Sequence, residues 1–288
     1  TVGGVKLYEA GPFFTTVSRL ARLPGEFAGQ EARLSDGLRA GAFRWVSGNL
    51  SSKVSHDPSK GIYIAPLTDP TGASGAWVRV YSGRVRFEWW EADPTGNTSA
   101  VTAIQTALET CVDLGITDID ATNAVFDLTG GVGITLTAAD ATIRVNKGRF
   151  VSTDGSETNM LLKFVLLKEV EFTGTSIDRN YLGSTDIEEY SDTATAIGCY
   201  GVDVFRVEGC DIRNVKGDGL YGSRDGVSGQ NTNKNPTDVF WIGNKLHNCK
   251  RNYMAITSYV NAEVCGNVCT SSGETSGTPH VWARSAVI

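Results

Sequence analysis

VDVFRVEGCDIRNV (202–215), TDVFWIGNKLHNC (237–249) and NAEVCGNVC (261–269) are successive copies of one pattern, and KEVEFTGTSID (168–178) is an earlier copy. Each copy is a short apolar alternation, then Gly or Asn, then a second short apolar strand. Such strands are too short to be stable alone, and stacking them buries a continuous core. The repeat therefore predicts a mainly β protein built on a right-handed, single-stranded parallel β-helix.

The spacing of the copies predicts two insertions. Phe172 to Val207 and Val207 to Ile242 are both 35 residues, whereas Ile242 to Val264 is 22. Two neighbouring coils thus each carry 35 − 22 = 13 extra residues, at about 181–193 and 223–236. We expect both insertions to start at the same point of successive coils and to emerge one above the other. Insertions on one face of a solenoid commonly hold the binding site.

The rest of the chain divides into three predicted parts. Residues 1–40 are irregular and interrupted by Pro and Gly, so we expect a partner to hold them. Residues 41–92 alternate between strand and turn signals and contain four of the six Trp, which we interpret mainly as the core of a small β module. Residues 93–288 form the coil domain, and we expect it to continue beyond residue 288.

A helix is predicted over 100–114, before the first coil. Val101, Ile104, Leu108 and Cys111 share one face at helical spacing, and Gly115 supplies the C-terminal stop. An amphipathic helix in this position is expected to cap the open end of the β-helix, whose first strands would otherwise expose unpaired edges.

Composition argues against several classes of protein. The net charge of −6 disfavours a nucleic-acid-binding surface. The sequence contains no run of 18 apolar residues, so it predicts no membrane-spanning helix. The six Cys lack the spacing of a zinc site, and we interpret those in the coils as buried free thiols. We therefore predict neither a metal nor a cofactor.

The stretch from Ala40 to Leu108 resembles the front part of bacteriophage tailspikes and tail fibres of the pectate-lyase-like β-helix superfamily. The matching pieces are GAFRWVSGNLSSKVSHDPSKGIYIAP (41–66), GASGAWVRVYSG (72–83), RFEWWEA (86–92) and TAIQTAL (102–108). The chain departs from this pattern just before the helix, where Ser99 and Ala100 replace an acidic pair that is common in the family.

The resemblance implies a tailspike or tail fibre. We expect a homotrimer in the phage tail, assembled in the host cytoplasm, with residues 1–40 attached to tail or baseplate proteins. Its ligand is expected to be a host surface polysaccharide, which the protein recognises and degrades as a hydrolase or lyase. Two alternatives stay open: a non-enzymatic structural tail fibre or baseplate component, and a cellular enzyme resembling pectate lyases or polygalacturonases. The N-terminus lacks a secretion signal pattern, which disfavours the cellular enzyme.

The insertions, together with the coil end at 216–219 next to the second insertion, supply the candidate site residues. Sugar-bond hydrolysis needs two carboxylates, and lyase chemistry needs a base and a cation. The candidate catalytic acids are Glu188, Glu189, Asp218 and Asp225. Arg224 is expected to pair with an acidic sugar, and Tyr190 to stack on a sugar ring. The stretch 216–219, KGDG, is interpreted chiefly as a turn with Gly at positive φ.

Overall fold

A computed structural model describes residues 12–130, 133–152, 159–180, 194–223, 237–257 and 259–270, together with the backbone of 281–283. The chain forms two compact units, Thr1–Glu91 and Ala92–Ile288.

The first unit is built on a five-stranded sheet. Its strands are Phe13–Phe14, Glu31–Leu34, Gly41–Ser47, Gly75–Arg79 and Tyr63–Ile64, in that spatial order. Two short helices accompany it, α1 (Val17–Leu20) and α2 (Ser51–Ser55), with 3₁₀ turns at Gly37–Arg39 and Phe87–Trp90 and a short strand at Arg84–Val85. Residues on both sides of position 40 thus belong to one sheet.

The core of the first unit is aromatic. Trp45 and Trp77 pack edge to face with ring centroids 5.6 Å apart, and Val17, Leu20 and Leu34 pack in the same cluster. Trp90 is also buried. The interpretation of this Trp cluster as a core is therefore confirmed for Trp45, Trp77 and Trp90.

The second unit is a parallel β-helix, as predicted. Each coil contributes one strand to each of three parallel sheets, which we call S1, S2 and S3 in chain order. The S1 strands are Asp118–Asp120, Thr142–Asn146, Glu169–Thr173, Val204–Glu208, Asp238–Ile242 and Asn261–Cys265. The S2 strands are Thr95–Ser99, Val125–Asp127, Arg149–Val151, Ser176–Asp178, Asp211–Val215, Lys245–Cys249 and Val268–Thr270. The S3 strands are Ile134–Thr137, Leu162–Val165, Ile197–Tyr200, Leu220–Ser223, Met254–Ile256 and Val281–Ala283.

Val207, Ile242 and Val264 lie in the same sheet, but the predicted register is wrong by one residue. Val207 pairs with Trp241, and Trp241 pairs with Val264. Trp241 points into the coil and is fully buried, with its ring 5.6 Å from that of Phe205. Because side chains alternate along a strand, Ile242 faces outward.

Polar side chains stack at the turn between S1 and S2. Here a Gly at positive φ, such as Gly209 or Gly243, precedes a residue that donates to a carbonyl of the preceding coil. Asn244 Nδ2 donates to the Val207 carbonyl at 2.8 Å, and Asn267 Nδ2 donates to the Trp241 carbonyl at 2.7 Å. The turns therefore satisfy their own backbone groups inside the stack.

Helix α3 (Val101–Leu114) lies against the first S3 strand. The Gln105 side chain donates to the Thr135 carbonyl at 2.8 Å and accepts from the Thr135 N–H at 3.1 Å. The carboxamide thus makes the two hydrogen bonds that a neighbouring strand would make. These contacts support the predicted capping role, which stays a prediction.

All six Cys are free, and Cys111, Cys199 and Cys210 are buried. Cys265 is exposed, so the expectation of a buried thiol is wrong there. Among the residues that the structure describes, no helix is long and apolar enough to cross a membrane.

Candidate functional site

The two insertions leave the β-helix at different corners, so the prediction that they emerge one above the other is wrong. The first lies between the S2 strand Ser176–Asp178 and the S3 strand Ile197–Tyr200. The second lies between the S3 strand Leu220–Ser223 and the S1 strand Asp238–Ile242. Sheet S3 therefore lies between their roots: one insertion enters S3, and the other leaves it.

Most predicted site residues fall within these insertions. Glu188, Glu189, Tyr190, Arg224 and Asp225 lie outside the described residues. Asp218 is described, and it lies at the corner between S2 and S3.

The outer face of S3 carries two tyrosines and a lysine. Strand pairing places Lys163, Gly198 and Tyr221 in one row, with Tyr200 in the next row. The Tyr200 and Tyr221 ring centroids are 5.6 Å apart with an interplanar angle of 49°. The Lys163 Nζ lies 5.2 Å from the centroid of the Tyr200 ring. Tyr200 and Tyr221 together form a half-buried aromatic surface, and the Lys163 cation lies beside it.

Tyr200 is held in place by its surroundings. Its hydroxyl donates to the Met160 sulfur at 3.5 Å. Burial raises the pKa of Tyr200, and the neighbouring Tyr221 adds to this effect. The phenol therefore stays neutral at physiological pH. A neutral aromatic ring beside a cation suits a ligand with both apolar and polar faces, such as a sugar.

Asp218 is a buried carboxylate that holds two neighbours. It accepts from Arg251 Nη1 at 3.0 Å and from Asn252 Nδ2 at 2.7 Å. Its side chain is 0% exposed, whereas that of Arg251 is 33% exposed. Burial raises the pKa of Asp218, although Asn252 and Arg251 oppose the shift. In this geometry Asp218 orients Arg251 toward the surface.

The backbone of 216–219, which contains Asp218, differs from the predicted turn with Gly at positive φ. Neither Gly217 nor Gly219 has a positive φ. A Cβ at Gly219 would lie 2.6 Å from the Tyr253 carbonyl oxygen and 2.8 Å from a Leu246 methyl. Close packing of successive coils therefore requires this glycine.

Arg179 fixes the root of the first insertion. It lies just before the insertion and is buried. Its Nη1 donates to the Asn159 carbonyl at 2.7 Å and to the Thr195 carbonyl, beyond the insertion, at 2.9 Å. The base of the insertion is thus tied to the neighbouring coil.

Lys163, Tyr200, Tyr221 and Arg251 were missed by sequence reasoning. The S3 strands that carry the first three are four residues long, and LYGS (220–223) contains a Gly. The alternation of Tyr200 and Tyr221 with buried Cys199 and Leu220 was the available signal.

A cavity in the first unit has a volume of about 770 Å³. Hydroxyl and proline side chains line it, together with Tyr63, Lys60 and Asp57. Asp57 is occupied by four N–H donors, from Gly61, Ile62, Tyr63 and Trp90. The Asp57 carboxylate is thus structural.

The described parts of the chain contain no group of three or more His, Cys, Asp or Glu side chains that could bind a metal ion.

Comparison with solved structures identifies the architecture. Full-length tailspike protein 2 from an Escherichia coli O157:H7 bacteriophage aligns with a TM-score of 0.54 and 14% identity over 90% of this chain. The enzymatically active domain of bacteriophage CBA120 tailspike protein 2 aligns with a TM-score of 0.50 and 16% identity, also over 90% of this chain. The fold is that of phage tailspike proteins.

The match covers 36% of the full-length tailspike and 40% of the active domain, so this chain spans well under half of either. No protein-family model matches the chain, and neither does any curated protein sequence.

Proposed function

We propose that this chain is part of a phage tailspike that binds a host surface polysaccharide on the outer face of S3. The tyrosine pair and Lys163, between the roots of the two insertions, carry this proposal. Aromatic rings cover the apolar faces of sugars, and a rigid strand surface presents them with little loss of side-chain entropy.

Binding to an array of bacterial surface polysaccharides tests the proposal. Tyr221→Ala is expected to weaken binding to whichever glycan the unmodified protein selects. Phe240→Ala is the matched control, because Phe240 is a half-buried, outward-facing aromatic on S1. Equal loss in both variants, or no binding of any glycan, contradicts the proposal.

Degradation of the polysaccharide is the finer part of the proposal. One similar structure is described as an enzymatically active domain. The candidate acids remain Glu188, Glu189, Asp218 and Asp225, with Arg224 and Tyr190 contacting substrate. Amide substitutions of the four acids, assayed by release of reducing ends or unsaturated sugars, test these roles. Full activity in all four variants contradicts them.

One observation favours the binding-only alternative. Asp218 is inaccessible and is occupied by Arg251 and Asn252, so in this geometry it positions another residue and does not reach a sugar itself. If the full-length protein binds its glycan but releases no sugar ends, recognition alone is its function.

A further inference from the structure

The cavity of the first unit lies beside an edge of the five-stranded sheet. The two-residue strand Tyr63–Ile64 pairs with Gly75–Arg79 on one side, and no described strand pairs with its other side. Tyr63 and Ala65, which follows this strand, both line the cavity of about 770 Å³. A sheet edge and a cavity thus adjoin, so that one ligand can occupy both.

The backbone groups at this edge point away from the sheet. The Ile62 carbonyl accepts from the Arg79 N–H at 2.8 Å, so Ile62 faces the neighbouring strand. Tyr63 and Ala65 alternate with it, and the Tyr63 N–H donates accordingly to Asp57 Oδ2 at 2.8 Å. No described residue forms a hydrogen bond with the N–H or C=O of Ala65, which is only 7% exposed. Because a buried backbone group without a partner is costly, Ala65 offers a donor and an acceptor to a ligand.

The hydroxyl groups that line the cavity present acceptors to a ligand. Three of them donate within the protein at 2.7–2.8 Å: Ser51 Oγ to Asn49 Oδ1, Ser55 Oγ to the Ser52 carbonyl, and Thr71 Oγ1 to Asp69 Oδ1. Since a hydroxyl group has one hydrogen, these three oxygens can only accept from a ligand. The cavity therefore suits a ligand that brings N–H donors.

The walls of the cavity are mainly aliphatic, from Val54, Ala65, Pro66, Leu67 and Pro70. The carboxylate in the lining, that of Asp57, is already occupied by four N–H donors. The aromatic ring in the lining, that of Tyr63, has the Lys53 Nζ 5.7 Å from its centroid. A sugar needs both donors and acceptors around its ring, whereas an extended peptide needs main-chain partners along an edge and apolar walls for its side chains. The lining favours the peptide.

We propose that this cavity is a docking site for an extended peptide segment of another protein. The segment pairs with the edge at Ala65 and places an aliphatic side chain between the apolar walls. In strand addition of this kind, main-chain hydrogen bonds supply affinity and the cavity selects the side chain. The site lies in the first unit and takes a polypeptide, so it goes beyond the polysaccharide binding proposed for S3.

Hydrogen exchange of the full-length protein, resolved to single amides, tests the edge. The Ala65 amide is expected to exchange fast in the free protein. The Leu67 amide is the internal control, because it donates to the Ala21 carbonyl at 2.7 Å and should be protected. If the Ala65 amide is protected as strongly as that of Leu67, the edge is already filled and the proposal is overturned.

A synthetic array of heptapeptides of random sequence supplies the probe. The peptides that bind the full-length protein are expected to be rich in aliphatic residues and to slow the exchange of the Ala65 amide. Methylation of their backbone nitrogens keeps the side chains and removes the N–H donors, so it should abolish binding.

Two variants and one control locate the peptide. Ser55→Trp narrows the cavity and is expected to weaken peptide binding by about tenfold or more. Ala65→Pro removes the edge N–H and is expected to weaken it by about fivefold to tenfold. Ser18→Trp changes an exposed helical serine outside the lining and should leave the affinity within about twofold. Thermal melting of each variant shows whether it is folded, and Ser55→Trp tests the site even if Ala65→Pro is not.

Equal binding by Ser55→Trp and Ser18→Trp, or selection of no peptide from the array, overturns the proposal. If no peptide binds and Ser55→Trp instead weakens the binding of a glycan, the cavity is a sugar site and the proposal is wrong. Tyr221→Ala should leave peptide binding unchanged, so the failure of the polysaccharide site on S3 is distinguished from the failure of this one.

Discussion

Asp57 illustrates how one side chain organises the first unit. Its Oδ2 accepts from the N–H groups of Ile62 at 2.6 Å and Tyr63 at 2.8 Å. Its Oδ1 accepts from Gly61 N–H and from the Trp90 indole, at 3.0 and 2.9 Å. The buried Asp57 carboxylate accepts hydrogen bonds from four N–H groups and so joins a tight loop to a buried aromatic ring. An aspartate supplies two acceptor oxygens at this position, whereas an amide of the same length supplies one.

Replacing Asp57 with Asn is expected to lower the free energy of unfolding of the first unit by about 2–4 kcal/mol, since an amide has one acceptor oxygen and leaves buried N–H groups unpaired. Urea unfolding followed by tryptophan fluorescence measures this, because four of the six Trp lie in this unit. Asp69→Asn is the control: Asp69 accepts from Ser74 and Thr71 in an exposed turn, where water can replace the lost acceptor. A loss below about 1 kcal/mol in both variants contradicts the assignment.

Asp218 gives a pH-dependent prediction. Burial raises its folded-state pKa above the unfolded value. The stability that Asp218 contributes is therefore fully present below the unfolded pKa and is lost as pH rises through the folded pKa. The stability of Asp218→Asn relative to the unmodified protein is thus expected to improve from about pH 3 to pH 7.

Chemical denaturation at several pH values measures this trend. Asp113→Asn, at an exposed position of helix α3, removes the same charge and accounts for the general effect of net charge. If the stability of Asp218→Asn falls with rising pH relative to that of the unmodified protein, then pairing with Arg251 has a larger effect on the pKa of Asp218 than burial has.

The turn between S1 and S2 is the element that keeps successive coils in register. Asn244 is fully buried; it accepts from Cys210 N–H at 2.9 Å and donates to the Val207 carbonyl. Asn267 repeats the arrangement one coil later by accepting from Asn244 N–H at 2.8 Å. The turn residues form a continuous polar stack inside an otherwise apolar coil.

Asn244→Leu is expected to destabilise the β-helix by about 2–4 kcal/mol, because it leaves the Cys210 N–H and the Val207 carbonyl buried without partners. Hydrogen exchange at the Cys210 amide should become faster than at amides of distant coils. Asn261→Leu is the control, since Asn261 is exposed and its side chain donates only to the Asp238 carboxylate among the bonds described. Unchanged exchange at Cys210 would contradict this role of Asn244.

The register of S1 gives a second prediction at this scale. Trp241→Ala removes a fully buried ring and is expected to cost about 3–5 kcal/mol. Ile242→Ala removes an outward, half-buried side chain and should cost about 1 kcal/mol or less. Thermal melting of the two variants compares their losses of stability. A larger loss for Ile242→Ala than for Trp241→Ala would support the register inferred from the sequence, in which Ile242 faces inward.

Sequence reasoning identified the coils because Val170, Phe172, Val207 and Ile212 recur with Gly turns between them. It misplaced the register because Val239 to Ile242 are four consecutive apolar residues, which hide a period of two. Phe240 faces outward there, with the Arg206 guanidinium 4.1 Å from its ring centroid. Only pairing with the neighbouring strand distinguishes the inward side chains.

The candidate site was harder to predict than the fold. Counting residues between S1 strands measures the excess in a coil but not the corner at which it leaves. That corner depends on short S3 strands, such as Met254–Ile256, whose sequences carry little strand signal. The surface is assembled from residues on several coils and has no local sequence motif. Only strand pairing places Lys163 in the same row as Tyr221.

For the whole molecule, the resemblance to tailspikes predicts a homotrimer attached to the phage tail through residues 1–40. Multi-angle light scattering of the full-length protein should give three times the mass of one chain. Deleting residues 1–40 would remove two strands and part of the core of the first unit, so the exposed Phe13 and Phe27 are replaced with Ser instead, and these variants are expected to be incorporated poorly into tails. A monomeric mass contradicts the predicted trimer, and normal incorporation of both variants contradicts the attachment role.

The stacking of coils also sets a scale of length. Neighbouring strands are about 4.8 Å apart, close to the length of one sugar unit in an extended glycan. Lys163, Tyr200 and Tyr221 lie on three successive coils, and Arg251 precedes the S3 strand of the next. A glycan lying parallel to the coil axis would thus meet one side chain per sugar. The affinity of the protein for glycan fragments should rise steeply up to a length of about four sugar units and then level off. The spacing of the coils would thus set the length of the shortest fragment that the protein retains.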